Sequence, residues 1–96
     1  MSAYIYITSN EKRGALYVGV TSDITKRIWE HKNTIDPKCF TARYNCKHLV
    51  YYEVFDDIIN AIEREKQLKN WHREWKINLI ETRNPDWKDL YEEITS

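Results

Sequence analysis

Five side chains of this 96-residue chain are of the types that handle a charged oxygen: Tyr6, Tyr17, Arg27, His31 and Glu65. Arginine presents a planar fork of donors that matches a phosphate or carboxylate. Histidine and tyrosine can pass a proton, and a carboxylate can hold a hard divalent cation. The spacing adds to this. Arg27 and His31 lie one helical turn apart, and His31 continues the stripe Ile24, Ile28, His31, Ile35, the (i, i+4, i+7, i+11) pattern of a core-facing helix side. An imidazole in an apolar seat with a guanidinium on its edge packs poorly and makes a site for an anion. Glu65 falls in line with Ala61, Leu68 and His72, inside a second apolar stripe, where a carboxylate is costly unless it is paired or bound to a cation. Two readings follow: a buried ion pair, with Arg27 as candidate partner, or a ligand for a divalent metal such as Mg²⁺, with water and substrate oxygens in the remaining positions. Glu63, by contrast, shares a polar face with Asn60, Lys66 and Asn70.

These residues need elements to position them. Ala3 to Thr8 alternates, with Tyr4 and Tyr6 on one side and Ala3, Ile5 and Ile7 on the other; Leu16 to Val20 alternates with Tyr17 and Gly19 opposite Leu16, Val18 and Val20. The polar segment Ser9–Gly14 is short enough to join the two as an antiparallel hairpin, bringing Tyr4 or Tyr6 beside Tyr17 on one sheet face. Thr21-Ser22-Asp23 supplies capping oxygens for a helix from about Asp23 to Asn33. Next comes a long loop, Thr34 to Lys47, carrying Lys38, Arg43 and Lys47 and a candidate for substrate contact. His48–Phe55 is a third strand, rich in β-branched and aromatic residues. Asp56-Asp57 opens a helical stretch whose apolar positions run Ile58, Ala61, Ile62 and Leu68, then Trp71, Trp75, Ile77, Leu79 and Ile80. Asn84-Pro85-Asp86 reads as an N-cap, a proline at the first helical position and an acid in the first turn of a short last helix containing Trp87, Leu90 and Tyr91. The pattern predicts an α+β fold, a small three-stranded antiparallel sheet flanked by helices, as one domain over residues 1–96.

Composition bounds the function classes. With 42% hydrophobic and 14% aromatic residues the chain has too much apolar area for a disordered protein. There is no apolar run of about 18 residues to span a membrane and no basic segment leading a hydrophobic one, so a cytoplasmic location is expected. Cys39 and Cys46 fit no common zinc spacing and read as two partly buried free thiols. Net charge is zero but unevenly placed: residues 1–48 carry eight Lys/Arg against four Asp/Glu, and Arg64, Lys66, Lys69, Arg73 and Lys76 cluster in the second half. That distribution allows either a basic patch for a phosphate backbone or a solvated helix face with local ion pairs.

Tyr4-Ile5-Tyr6 and Tyr17-Val18-Gly19, followed by Arg27 and His31 and by the stretch Ala61, Glu65, Leu68, resemble the GIY-YIG nuclease superfamily over nearly the whole chain. The resemblance is strongest to its small standalone bacterial branch, and the superfamily includes the incision subunit of nucleotide excision repair. It implies that Tyr6 and Tyr17 are the motif tyrosines, Arg27 the phosphate-contacting arginine, His31 the residue at the His-or-Tyr position, and Glu65 the ligand of Mg²⁺ or Mn²⁺. Tyr4 stands where the first tripeptide has glycine, and Val20 where repair relatives have lysine. Asn78 is nearest in spacing to a late asparagine of several relatives. The implied activity is metal-dependent hydrolysis of DNA phosphodiesters in branched, nicked or duplex DNA, in repair or recombination. Two other readings remain: a non-catalytic nucleic-acid-binding module that kept the fold, favoured by the zero net charge, and a protein-interaction module using Trp71, Trp75 and Trp87, residues that otherwise fill the core and helix contacts.

Overall fold

A computed structural model describes residues 2–33 and 44–95. Within them the chain runs β1 (Ala3–Ser9), β2 (Leu16–Thr21), α1 (Ile24–Lys32), β3 (His48–Phe55), α2 (Ile58–Asn70), α3 (Arg73–Arg83) and α4 (Tyr91–Thr95). The strands form one antiparallel sheet in the order β2-β1-β3. β1 is the central strand, and all of it except Tyr4 is buried, as expected for a strand paired on both edges and covered on both faces.

The hairpin closes through Asn10. Its Oδ1 accepts from the Ala15 amide at 2.7 Å, and a Cβ on Gly14 would stand 2.0 Å from that oxygen. α1 is capped as its sequence predicts: Asp23 Oδ1 accepts from the Lys26 amide at 3.2 Å. Asp57 caps α2 in the same way, accepting from Asn60 at 2.8 Å. Trp71 and His72 are extended and form the joint between α2 and α3.

The sheet separates two apolar clusters. On one side Ala3, Ile5, Ile7 and Val18 pack with Ala61 and Leu68 of α2, Ile77 and Ile80 of α3, and Trp87. On the other, Tyr6 and Leu49 pack with Ile24 and Ile28 of α1, surrounded by Tyr4, Tyr17, Tyr52 and, from the C-terminal segment, Leu90, Tyr91 and Ile94. A bulge in β3 sorts its residues between the two. Tyr51 pairs with Ile7 but Leu49 with Thr8, leaving Val50 as the extra residue. Val50 and Tyr51 therefore both join the first cluster, while Leu49 and Tyr52 join the second.

The C-terminal segment differs from its expected form. Asn84 does not open a helix; it is the C-cap of α3, with its amide donating to Ile80 O at 2.8 Å. Its side chain is buried and donates to the carbonyls of Val50 at 3.0 Å and Lys88 at 2.9 Å, while accepting from the Lys88 amide at 3.0 Å. Bonds to the bulge residue outcompete a local helix start, and the last helix begins only at Tyr91. Asp89 then fastens this segment to the tyrosine side. It accepts from the amides of Leu49 and Tyr91 and pairs with Lys32 at the end of α1. Cys46 is buried with its thiol free; Cys39, Ile35, Lys38 and Arg43 lie outside the described residues. No helix among the described residues is long and apolar enough to cross a membrane.

Candidate active site: a phenol, imidazole and guanidinium on one sheet face

Tyr6 occupies the middle of the central strand with its side chain buried. Opposite it on β2 is Gly19, and the Tyr6 ring lies across that glycine. A Cβ there would stand 2.4 Å from both Cζ and Oη of Tyr6, so only glycine leaves the slot in which the phenol rests. Tyr17 lies two residues before Gly19 on the same side of β2, half-buried, its ring centroid 6.2 Å from that of Tyr6. The strand period of two thus puts both phenols on one face with glycine beside one of them.

The helix that leaves this sheet closes the cluster. Ile24, Ile28 and His31 are the buried residues of α1, the stripe the sequence predicts. His31 sits 5.6 Å from the Tyr6 ring and 5.8 Å from the Tyr17 ring by centroid, and its Nε2 is 3.0 Å from Tyr6 Oη. Burial, then the positive charge of Arg27, press the His31 pKa down to about 4, with Glu30 acting weakly the other way. The ring is therefore neutral near pH 7 and shares one proton with the phenol across the 3.0 Å contact.

Arg27, one turn earlier, keeps 40% of its side chain exposed and donates from Nη1 to Glu30 Oε1 at 3.1 Å. Partial burial works against its charge, but hydrogen bonding and attraction to Tyr6, then to Glu30 and Tyr17, outweigh it and raise its pKa above the usual arginine value. It is a permanent cation beside the two phenols. The expected pairing of Arg27 with Glu65 does not occur: Glu30, on the same helix face, takes that role.

Glu65 comes from the other side of the sheet. α2 packs in the aliphatic layer, and Glu65, largely buried with 16% of its side chain exposed, pairs with Lys69 at 3.4 Å. Lys69 Nζ in turn lies 5.7 Å over the Tyr17 ring, within cation–π range. Glu65 thus connects to the tyrosines around the edge formed by β2 and through Lys69. Tyr6, Tyr17, Arg27 and His31 are brought together directly; Glu65 is brought to their margin. Asn78 is exposed on α3, whereas Asn84 is the buried asparagine that locks the sheet's bulge. Sequence reading passed over Glu30, placed Lys69 only in a basic cluster, and took Asn84 for a helix start. An Arg–Glu spacing of three residues signals the first, a Glu–Lys spacing of four signals the second, and nothing local signals the third.

The GIY-YIG catalytic domain family matches residues 2–78, a span that begins before β1 and ends within α3, and so includes all five candidate residues. The chain belongs to the GIY-YIG family. It is 42% identical over 77 residues to the UPF0213 protein of Staphylococcus saprophyticus, covering 80% of this chain and 92% of that one. It is 32% identical over 82 residues to the UPF0213 protein of Staphylococcus aureus strain N315, covering 85% and 98%. The solution NMR structure of the UPF0213 protein BH0048 from Bacillus halodurans has the same fold, with a TM-score of 0.56, 27% identity and 93% of each chain covered. The GIY-YIG domain is that of a nuclease, hence hydrolase, family, and this chain sits with its small UPF0213 members.

The donor set can be tested against the divalent metal that GIY-YIG nucleases use. Glu65 offers hard carboxylate oxygens, and its present partner is the half-exposed end of an i,i+4 pair, an interaction of only about 0.3–0.5 kcal/mol. A cation can displace Lys69 easily. No group of three or more His, Cys, Asp or Glu suited to a metal occurs among the described residues. One carboxylate completed by water and substrate oxygens suits Mg²⁺ or Mn²⁺ and not a metal that demands a protein cage.

Proposed function

We propose that this chain is a metal-dependent DNA endonuclease that hydrolyses phosphodiester bonds with Tyr6, Tyr17, Arg27, His31 and Glu65. The observation that carries this reading is the Tyr6–His31 contact at 3.0 Å between two buried groups beside a fixed guanidinium. Such a triad is a poor way to fill a core and a good way to meet a phosphate. Arg27 would neutralise charge that grows on the phosphoryl oxygens as water attacks. Tyr6 is hydrogen-bonded to His31, so a proton from the attacking water would pass to the phenol oxygen as the phenol's own proton moves to Nε2. His31, whose pKa is held at about 4, would carry it only transiently before passing it to solvent. Tyr17, with part of its ring open, would orient that water from the other side. The P–O bond to the leaving sugar oxygen then breaks, and that oxygen takes a proton from solvent. Glu65 would hold Mg²⁺ or Mn²⁺, which when bound supplies Lewis-acid stabilisation of the phosphate charge.

The test is cleavage of supercoiled and branched DNA with and without Mg²⁺. Wild-type protein should give metal-dependent product, and Arg27→Ala and Glu65→Ala should each lose it by about 100-fold or more while their circular dichroism stays native. Wild-type-like cleavage by both variants would overturn the mechanism. Salt-dependent DNA binding with no product under any metal would assign the non-catalytic module instead.

A further inference from the structure

The corner between α2 and α3 carries chemistry that the hydrolytic cluster does not use. Lys69 lies at the end of α2, Trp71 and His72 form the extended joint, and Arg73, Trp75 and Lys76 begin α3. Trp75 is 54% exposed, so it is not the core residue that its helical spacing predicts. Trp71 meets it at 5.9 Å and 83°, and His72 at 5.1 Å and 90°. These near-right-angle contacts orient the indole and leave about half of it open. The open part of the indole offers a flat aromatic face on which another ring can stack.

Lys69, Arg73 and Lys76 lie around the indole, with Glu74 between Arg73 and Trp75 in sequence as the acidic neighbour. Arg73 donates to the backbone carbonyls of Arg13 and Gly14 in the hairpin, a contact that holds its cation in place without neutralising it. Lys76 is half-buried and makes no ion pair among the described residues. Burial, then the charges of Arg73 and Lys69, keep its pKa below the usual lysine value. Lys69 also lies over the Tyr17 ring, so this patch is continuous with the candidate active site. An acidic peptide would satisfy the cations but has no need of the indole. Duplex DNA would do the same, because its bases are stacked inside the helix. A single strand offers both phosphates for the cations and a free base face for the tryptophan, the combination by which unpaired nucleic acid is held.

We infer that the α2–α3 corner binds an unpaired nucleotide next to the scissile phosphate, with its base stacked on Trp75 and its phosphates on Lys76 and Arg73. This rests on the DNA-directed reading of the adjacent cluster and narrows the substrate to DNA with a single-stranded segment, such as a flap or splayed arm.

The test measures fluorescence anisotropy of a labelled oligothymidine strand and of a blunt hairpin duplex, both in EDTA, where no cleavage occurs. Trp75→Ala should weaken single-strand binding by about tenfold or more and leave duplex binding essentially unchanged, and Trp75→Phe should restore most of the loss. Lys76→Gln, on a partly exposed position that leaves the fold intact, should weaken single-strand binding and reduce the log–log salt slope by about 0.7. Wild-type single-strand affinity in both Trp75→Ala and Lys76→Gln would overturn the inference, as would an equal loss for strand and duplex in Trp75→Ala. Metal-dependent cleavage of a duplex by wild-type protein decides the hydrolytic reading separately. Cleavage without Trp75-dependent strand binding removes the corner's role and keeps the hydrolase. Strand binding that depends on Trp75 without cleavage keeps the corner and removes the hydrolase.

Discussion

The two faces of the sheet are built for different purposes. One is aliphatic: Ile5, Ile7 and Val18 meet Leu68, Ile77 and Ile80, all buried, and their contacts are non-directional. The other is phenolic: Tyr6, Tyr17 and His31 meet at ring distances near 6 Å, with one hydrogen bond and one adjacent guanidinium. The aliphatic face supplies apolar burial, the main favourable contribution to folding. The phenolic face uses part of that stability to keep an imidazole neutral and a tyrosine fixed inside the protein. Strained or costly polar groups of this kind are sustained by well-packed surroundings, and here the surroundings are the layer on the far side of β1.

Substitutions should therefore separate stability from chemistry. Leu68→Ala removes a fully buried side chain from the aliphatic side and should cost about 2–5 kcal/mol of unfolding free energy in urea titration. A folded Leu68→Ala protein that had lost the Tyr6–His31 contact by NMR would break the division between faces. The next effect in size is a pH dependence. His31 has a pKa of about 4 when folded against 6.5 for the free residue. Between those values the unfolded chain binds a proton that the folded one does not, so stability falls as pH drops from about 6.5 to about 4, by up to about 3 kcal/mol, and is unaffected by this group at higher pH. His31→Gln should flatten that part of the stability curve; an unchanged slope would show that the imidazole is not held neutral.

Gly19→Ala asks the phenolic face to accept one methyl group 2.4 Å from the Tyr6 ring. The ring is buried and hydrogen-bonded, so it cannot turn aside freely. A loss of about 1–3 kcal/mol is expected, with a fall of about 100-fold in any cleavage rate as Tyr6 leaves its place. Wild-type melting and cleavage would mean that the slot is not needed. The smallest effect is at the α2 cap: Asp57→Ala should lower stability by about 1 kcal/mol with cleavage by the folded fraction retained, since it touches the helix start and no candidate group.

Much of this was legible beforehand because it is governed by local periodicity. Alternation in residues 3–8 and 16–20, capping oxygens at Asp23 and Asp57, and the β-rich run His48–Phe55 all depend on neighbours within a turn or a strand pair, and the observed elements follow them. The grouping of the candidate residues Tyr6, Tyr17, Arg27 and His31 was legible to the same extent, because a hairpin and the helix that follows it place them. Glu65 was harder. Its stripe reads as inward and its side chain is largely buried, but its ion-pair partner is Lys69 one turn on and not Arg27. Asn84 was misread as a helix start because its true partners, the Val50 and Lys88 carbonyls, include one 34 residues away.

The sequence by itself determined the order of elements, the tyrosine and aliphatic faces of β1 and β2, and the stripe that carries His31 inward, since each follows from side-chain period along a continuous segment. The tertiary structure alone decided that Asn84 binds the Val50 carbonyl, which tryptophan stays in water, and where β3 changes face at Val50. Those choices depend on how separate elements compete for the same partner and the same volume, and no periodicity within one element encodes the result.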